Sequence, residues 1–327
     1  MRTPPAAGER AVDLLVVGDV NPDVILSGVP PSITYAQVEQ LVDTGTLTVG
    51  GSAAILACGA ARLGLRTALV GIVGDDAAGR FMREQLEDRG VDTAHCVTRQ
   101  ELATGLTVHL VRDDDRAMLT FPGAIPALSA AMVGDVLLRS ARHLHVSSFF
   151  LQPLLAAGLR DLFDRAHAAG ATTSLDTNWD PLDRWEGLAA ALPATDVLLP
   201  NSEEALAIAD ALDPQEPPRG LGDALTALAA NGPLPVAKCG ADGAVAQADG
   251  RLLRAPTVTV GVADSVGAGD SFDAGFLAGW LNGYELERSL RLAAVCGALS
   301  LRGAGGTGWQ PSLDEALRVV DAAAAGA

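Results

Sequence analysis

The chain has 327 residues, of which 49% are hydrophobic and 19% charged, and a formal net charge of −17 at pH 7. This length fits one large α/β domain or two smaller ones, and the apolar fraction suffices for a sizeable core. The negative charge argues against nucleic acid or an anionic membrane as a partner, although a local pocket can still hold a small phosphorylated ligand.

The cysteines and the N-terminus give no sign of an oxidising or membrane environment. Cys58, Cys96, Cys239 and Cys296 are widely separated and form no CxxC pair, so neither a zinc site nor a disulfide framework is expected. The first ten residues lack the apolar core of a signal peptide, and no apolar run approaches the roughly 20 residues that cross a bilayer. We therefore expect a cytoplasmic protein.

Short apolar runs alternate with helical patterns in chain order. Residues 12–17, 67–73, 143–149, 172–176, 197–200 and 235–238 read as buried strands. Residues 53–63, 80–89, 154–169, 203–211 and 221–230 read as helices. Repeated βα units of this kind predict a mainly parallel sheet with helices on both faces.

Two segments break this alternation. Residues 24–49 are polar and contain Pro and Gly, and residues 106–121 alternate like exposed strands. We expect them to form a small antiparallel sheet beside the main one, with Asp113 to Asp115 in a solvated hairpin turn. With no repeat and no linker, residues 1–327 are predicted to form a single domain with insertions at about 24–49 and 104–123.

The most informative motif is Gly267-Ala268-Gly269-Asp270. A helical pattern of Phe272, Phe276 and Trp280 follows it and ends at Gly283. A helix N-terminus presents unpaired N–H groups and a partial positive charge, so a phosphate can reach those amides where side chains are small. Asp270 would then be placed to take a proton from a hydroxyl that attacks phosphorus. A tight turn with a helix cap uses the same residue types, so this motif alone leaves both interpretations open.

Further polar groups follow the predicted strands, where ligands bind in an open parallel sheet. They are Asn21 and Asp23, Gly50 with Gly51 and Ser52, residues 176–180, residues 201–204 and residues 238–243. Turns and caps favour the same residue types, so each group taken separately is also explained structurally.

The order of these motifs resembles the ribokinase-like family of carbohydrate kinases, the phosphofructokinase B type, over nearly the whole chain. Residues 264–275 resemble its C-terminal signature and residues 50–64 its N-terminal one, with further landmarks at 71–79, 201–204 and 238–243. The resemblance implies a three-layer α/β fold with a small β-sheet lid. It also implies ATP-dependent phosphorylation of a hydroxymethyl group on a sugar or nucleoside, with Mg²⁺.

The resemblance also implies roles for individual residues. Asp270 would be the catalytic base, and the amides of Gly267, Ala268 and Gly269 would form an anion hole. The residues expected to bind the acceptor are Asn21, Asp23, Gly50, Gly51, Ser52 and Asp270. Those expected to border the nucleotide are Asn201, Lys238, Gly240, Gly243, Gly267 and Gly269.

Two cation sites and a dimer follow from the same resemblance. Glu204 would organise Mg²⁺ through water. Asp264 and the carbonyl of Val266 would hold a monovalent cation such as K⁺, with residues 303–307 closing that site. The lid would pair with its copy in a homodimer.

The chemistry agrees with these roles. Phosphoryl transfer has a loose transition state, so positioning and charge stabilisation matter most, and a carboxylate of ordinary low pKa can serve as the base. Preorganised amides would meet the developing charge, and a lid would exclude water.

The sequence departs from the family at the acceptor side. Ile55 stands where an Asn usually contacts the sugar, and Phe149, Phe150 and Leu151 stand where a polar group is common. An apolar side chain cannot replace the hydrogen bonds of an amide. These changes suggest an acceptor with fewer hydroxyl contacts on that side, or with an apolar or planar part, although Phe149 and Phe150 are equally explained as core residues.

Several functions therefore remain open. A sugar kinase is the leading hypothesis, and a nucleoside kinase follows if the two Phe rings stack on a base. A catalytically weak sugar or nucleotide sensor is the alternative outside the enzymes. A nicotinamide-dependent dehydrogenase is disfavoured because no GxGxxG follows the first strand. His143 and His145 share a strand face, but no third ligand has metal-site spacing.

Overall fold

The computed structural model describes residues 2–112 and 115–325. The strands of the described residues are β1 Val12–Val17, β2 Asn21–Ser27, β3 Thr44–Gly50, β4 Thr67–Val70, β5 Ile72–Gly74, β6 Val97–Arg99, β7 Leu106–Arg112, β8 Asp115–Phe121, β9 Ala141–Val146, β10 Thr172–Leu175, β11 Val197–Leu198, β12 Leu234–Lys238, β13 Ala244–Ala248 and β14 Arg251–Ala255. The α-helices are α1 Ser52–Arg62, α2 Ala77–Glu87, α3 Asp135–Ser140, α4 Pro153–Ala157, α5 Leu159–Ala168, α6 Leu188–Ala191, α7 Ser202–Leu212, α8 Leu221–Ala230, α9 Ala268–Leu281, α10 Leu286–Ser300 and α11 Leu313–Ala325.

The main sheet has eight strands in the order β14-β13-β12-β11-β10-β9-β1-β4. Neighbours from β12 to β4 are parallel, whereas β12–β13 and β13–β14 are antiparallel. The predicted mainly parallel sheet is therefore confirmed, with an antiparallel edge that the sequence did not reveal.

Helices cover both faces of this sheet, which gives the expected three layers. On β1, Leu14 and Val16 join an apolar cluster with α1, α9 and α10, whereas Leu15 and Val17 join one with α5, α7 and α8. A strand buried on both faces needs a continuous apolar run, and this is why residues 12–17 lack polar alternation.

A separate four-stranded sheet, in the order β3-β2-β7-β8, stands beside the main one. It was predicted to be antiparallel, and this was wrong for its central pair: β2 and β7 run parallel, with Asp23 beside Thr107 and Ile25 beside His109. Because β2 and β7 come from distant insertions rather than one hairpin, no short turn forces them to be antiparallel. We call this sheet the lid sheet.

The other departures are local. Residues 67–73 were predicted as one strand, but the chain breaks at Gly71, and β5 leaves the main sheet to pair with β6. A Cβ at Gly71 would overlap Val20, so the break requires glycine. The turn predicted at Asp113 to Asp115 falls largely outside the described residues. No helix in the described part of the chain is long and apolar enough to cross a membrane.

Candidate active site

The loop before α9 is a tight turn of small residues that leads directly into a helix, as the Gly267–Asp270 motif predicted. Gly267 lies at the N-cap of α9 with a φ of 72°, a left-handed conformation that glycine adopts without strain. A Cβ there would lie 2.6 Å from the Cα of Gly306 and 3.0 Å from Cγ2 of Ile55. The start of α9 is therefore packed closely between α1 and the loop of residues 303–307.

Asp270 lies in the first turn of α9 and is 9% exposed. The hydroxyl of Ser52 donates a hydrogen bond to its Oδ1, and Nδ2 of Asn178 donates to that hydroxyl at 3.2 Å. Burial raises the pKa of Asp270 to about 7, and the hydrogen bond from Ser52 opposes this shift. The pKa of Asp270 is therefore higher than that of an ordinary carboxyl, because the group is buried.

Asp19 holds the start of α1, which carries Ser52. Its Oδ2 and Oδ1 accept hydrogen bonds from the backbone N–H groups of Ser52 and Ala53, each at 3.0 Å. Gly51, the N-cap residue just before Ser52, has a φ of 78°, and a Cβ there would lie 2.8 Å from the carbonyl oxygen of Asp19. Asp19 thus caps α1 from outside the helix and fixes the position of the Ser52 hydroxyl.

The predicted acceptor residues Asn21 and Asp23 lie on β2, the first strand of the lid sheet, rather than in a loop. Asn21 is 2% exposed and Asp23 4% exposed, and Gly50 pairs with Asn21 across the β2–β3 ladder. A Cβ at Gly50 would overlap the carboxylate of Asp23. The glycine therefore leaves room for that carboxylate at the junction of the lid sheet and α1.

Lys238 joins two buried carboxylates beneath the start of α9. Its Nζ lies 2.8 Å from Oδ2 of Asp176 and 3.1 Å from Oδ2 of Asp273. Burial would raise the pKa of Asp176, but the Lys238 ammonium holds it below its ordinary value. Burial raises the pKa of Asp273 well above its ordinary value. The resemblance implies that Lys238 borders the nucleotide, and in the structure its side chain passes Gly269, since Nζ lies 3.7 Å from the position of a Cβ there.

Asn201 and Glu204 form a reciprocal capping box at the start of α7. Oδ1 of Asn201 accepts from the N–H of Glu204, and Oε2 of Glu204 accepts from the N–H of Asn201, both at 2.8 Å. Burial, and then the charge of Asp176, raises the pKa of Glu204 to about 7. Asn201 also forms a parallel bridge with Lys238, so both predicted landmarks lie at the same edge of the main sheet.

The carboxyl groups near Lys238 outnumber the basic group they surround, which suits a bound cation. Asp176, Glu204, Asp270 and Asp273 interact with one lysine, Lys238, and Oδ1 of Asp273 is buried without a hydrogen-bond partner among the described residues. Among residues 2–112 and 115–325, no three His, Cys, Asp or Glu side chains converge as a direct metal site. The excess of carboxylates around one lysine and the unpartnered Oδ1 of Asp273 fit a hard divalent cation such as Mg²⁺.

The predicted nucleotide glycines lie in the turn between β12 and β13. Gly240 has a φ of 54° and Gly243 a φ of 84°. A Cβ at Gly243 would overlap the carbonyl oxygen of Ala255, whereas Gly240 has no neighbour within 4 Å of that position. Gly240 therefore leaves open space two residues after Lys238.

Asp264 connects the two loops that were predicted to form the monovalent cation site. Its Oδ1 accepts from the N–H of Val266 at 3.0 Å, and its Oδ2 accepts from the N–H of Gly305 at 2.9 Å. Oγ1 of Thr307 is buried with no hydrogen-bond partner among the described residues. The structure thus brings residues 264–266 and 303–307 together.

The apolar residues that depart from the family pattern pack into the protein. Ile55 is 3% exposed and contacts the Gly267 and Gly306 backbones. Phe149 is 4% exposed. Edge-to-face contacts then run from Phe149 to Phe150, from Phe150 to Trp185 and from Trp185 to Trp179, which is 48% exposed. Trp179, next to Asn178, is therefore the exposed member of this aromatic cluster.

His143 and His145 belong to a hydrogen-bonded row inside the main sheet. The ring nitrogens of His143 bond to Thr172 and Ser174 at 2.8 and 2.7 Å, and those of His145 to Ser174 and Ser147 at 2.7 and 2.8 Å. Burial lowers both pKa values to about 3. Every ring nitrogen is satisfied by a hydroxyl, which gives these histidines a structural role.

Five residues of the site had no role predicted from the sequence: Asp19, Asp176, Asn178, Asp273 and His109. Asp273 follows Asp270 by one helical turn, so its position on α9 was a usable signal. Asn178 was noted among the strand-end polar groups, but its contact with Ser52 spans 126 positions. No sequence signal marked His109, whose surroundings depend on the parallel pairing of β2 and β7.

Comparison with known proteins agrees with this geometry. The family model described as "pfkB family carbohydrate kinase" matches residues 12–313. The chain is 33% identical to an ATP-dependent ribose-1-phosphate kinase of Halopiger xanaduensis, over 88% of this chain and 92% of that protein. It is 29% identical to a 5-dehydro-2-deoxygluconokinase of Shouchella clausii, over 84% and 87%.

A solved structure shares the fold. Arabidopsis thaliana ribokinase, complexed with ribose and ATP, superposes with a TM-score of 0.82 at 24% identity, covering 95% of this chain and 99% of that one. The three-layer fold with its small separate sheet is therefore that of the ribokinases.

Proposed function

Because the chain belongs to the pfkB family of carbohydrate kinases and is an ATP-dependent carbohydrate kinase, we propose that it phosphorylates a hydroxymethyl group of a small sugar, with Asp270 as the base. The observation that carries this proposal is the buried Asp270 carboxyl in the first turn of α9, beside the small residues Gly267 to Gly269. An acceptor hydroxyl bound between Asp270 and the N-terminus of α9 would contact the base that takes its proton, and the amides there would contact the transferred phosphoryl group.

In this mechanism, Asp270 accepts the proton of the acceptor hydroxyl as that oxygen forms a bond to the γ-phosphorus and the bond from γ-phosphorus to ADP breaks. The pKa of about 7 suits a base that is partly ionised at neutral pH. The amides at Gly267, Ala268 and Gly269 stabilise the charge on the transferred group. Asn21, Asp23 and Ser52, with the close backbone approach at Gly50 and Gly51, orient the acceptor.

The nucleotide would lie on the side of β12 and α7. Asn201, Lys238, Gly240 and Gly243 border it, and Glu204 would hold Mg²⁺ through water. Bound there, Mg²⁺ supplies charge neutralisation to the phosphates. Asp264 and the carbonyl of Val266 would hold K⁺ beneath the anion hole, because the Asp264 carboxylate already organises both loops of that region.

We also propose a homodimer formed through the lid sheet. The strand register places Leu47, Val24, Val108 and Leu119 in one row across the sheet. Leu47 is 53% and Leu119 59% exposed, so this row gives one face of the lid sheet an uncovered apolar surface.

Light scattering should give the mass of two chains, and the Leu47→Asp/Leu119→Asp variant should give the mass of one. A wild-type monomer would contradict the dimer.

The acceptor is identified with a panel in a coupled ADP assay. D-ribose, ribose 1-phosphate, 5-dehydro-2-deoxygluconate and adenosine represent the neutral sugar, the acceptors of the two relatives, and a nucleoside. Adenosine as the best acceptor would favour the nucleoside kinase, in which the exposed Trp179 would contact the base. Absence of turnover with every sugar and nucleoside would favour the sensor instead.

Asp270→Asn tests the base directly. It should lower kcat by about 10²–10⁴ with the best acceptor, because it removes proton transfer while conserving shape. Asp210→Asn, an exposed acid on α7, serves as the control and should leave kcat unchanged. Turnover that survives in Asp270→Asn would exclude Asp270 as the base.

A further inference from the structure

His109 on β7 lies against the carboxylate of Asp23 on β2. Its Nε2 is 3.1 Å from Oδ2 of Asp23, and the side chains are 6% and 5% exposed. In the parallel register of the two strands, Asp23 lies beside Thr107, and His109 follows two residues later on the same face. The pair is therefore buried within the face of the lid sheet that carries the acceptor residues.

The carboxylate of Asp23 has little else to fix its orientation. Its Oδ1 accepts one long hydrogen bond, from Nδ2 of Asn21 at 3.4 Å, and that amide is shared with Oγ1 of Thr107 at the same distance. Gly50 provides space rather than a contact. His109 thus bounds Oδ2, while Oδ1 stays on the side of Asn21.

His109 is itself an unusual residue for this position. Neither ring nitrogen has a hydrogen-bond partner among the described residues, although the residue is only 5% exposed. A buried polar atom without a partner costs free energy, so an apolar residue would serve packing better. Nε2 lies 3.1 Å from Oδ2 of Asp23 without the alignment of a hydrogen bond, so the ring meets the carboxylate as a close polar contact that an apolar side chain could not make.

We propose that His109 is a positioning residue for the acceptor: it holds Asp23 by Oδ2 so that Oδ1 receives an acceptor hydroxyl. This inference rests on the proposed role of Asp23 as an acceptor ligand. Because His109 belongs to the lid sheet, it also makes the geometry of Asp23 depend on the pairing of β7 with β2. The effect should appear in acceptor binding and not in nucleotide binding.

The test compares His109→Phe, which keeps a ring but removes both nitrogens, with His109→Gln, which keeps an N–H donor. Steady-state kinetics use whichever of D-ribose, ribose 1-phosphate, 5-dehydro-2-deoxygluconate or adenosine the wild type turns over best. His109→Phe should raise the KM for that acceptor about tenfold while the KM for ATP stays within about twofold. His109→Gln should restore most of the acceptor KM. His95→Phe, at an exposed position outside the lid sheet, is the matched control.

Three outcomes would overturn the inference. They are an unchanged acceptor KM in His109→Phe, a parallel rise in both KM values, and a His109→Gln variant as impaired as His109→Phe. If His109→Phe does not fold, His109→Leu takes its place in the same comparison. A wild-type protein that turns over no member of the panel would instead overturn the proposed function, and this inference with it.

Discussion

The hydroxyl of Ser52, at the start of α1, donates a hydrogen bond to Oδ1 of Asp270, at the start of α9, across 218 positions of the chain. Two helix N-termini meet at this contact. Asp19 fixes the first through the backbone of Ser52 and Ala53, and Asn178 approaches the same hydroxyl from the main sheet. The charge state of Asp270 therefore depends on three separate segments.

Removing the Ser52 hydroxyl should shift the pH dependence of the reaction. Burial raises the pKa of Asp270 to about 7, and the Ser52 hydrogen bond lowers it. Because the base acts as a carboxylate, kcat/KM should rise with pH through about 7, and Ser52→Ala should move that rise to higher pH. Ser52→Thr keeps the hydroxyl and serves as the control. Identical pH profiles for wild type and Ser52→Ala would show that the hydrogen bond does not tune the base.

Lys238→Met should destabilise the fold, not only weaken nucleotide binding. The ammonium pairs with Asp176 and Asp273, and removal of one partner leaves buried carboxylates uncompensated. We expect a loss of about 3–5 kcal/mol in the free energy of unfolding, measured by urea denaturation. Adding Asp176→Asn to Lys238→Met should recover part of that loss, because Asp176 is the buried carboxylate that the ammonium keeps charged. A Lys238→Met protein of wild-type stability with a raised KM for ATP would assign Lys238 to the nucleotide alone.

The buried histidines should make the protein acid-sensitive. Burial lowers the pKa values of His143 and His145 from 6.5 to about 3. Below pH 6.5 the unfolded chain binds protons that the folded protein does not, so stability falls as the pH decreases toward 3. Each histidine should contribute up to roughly 1.4 kcal/mol per pH unit. In urea denaturation between pH 7.5 and 5, His145→Gln should reduce this slope, whereas His95→Gln, at an exposed position, should not.

Asp264→Asn should weaken activation by potassium. The Asp264 carboxylate bonds to the N–H groups of Val266 and Gly305, and its negative charge would be needed by a cation in the same loop pair. The wild type should be faster in KCl than in tetramethylammonium chloride at equal ionic strength, and Asp264→Asn should lose most of that difference. Asp249→Asn, an exposed acid in the turn after β13, is the control. Equal wild-type rates in both salts would argue against the site.

The strand and helix patterns predicted most of the main sheet correctly because burial on both faces demands continuous apolar runs. The residue patterns could not predict that the apolar run 67–73 divides into two strands, β4 and β5. The chain leaves the main sheet at Gly71, where Val20, far away in sequence, leaves no space for a side chain. The lid sheet was predicted as a unit, but its parallel centre depends on which strands of two insertions meet.

By itself, the sequence determined the reaction class through the resemblance of its ordered motifs to a family of carbohydrate kinases, because these motifs are short local segments that can be recognised without the fold. The tertiary structure decided the electrostatics of these groups. The pKa of Asp270 depends on how deeply it is buried, and the pairing of Lys238 with Asp176 and Asp273 depends on the meeting of β10, β12 and α9. Shifts of pKa such as that of Asp270 arise because packing between distant segments excludes water and brings charged groups together. A local sequence pattern does not encode this packing.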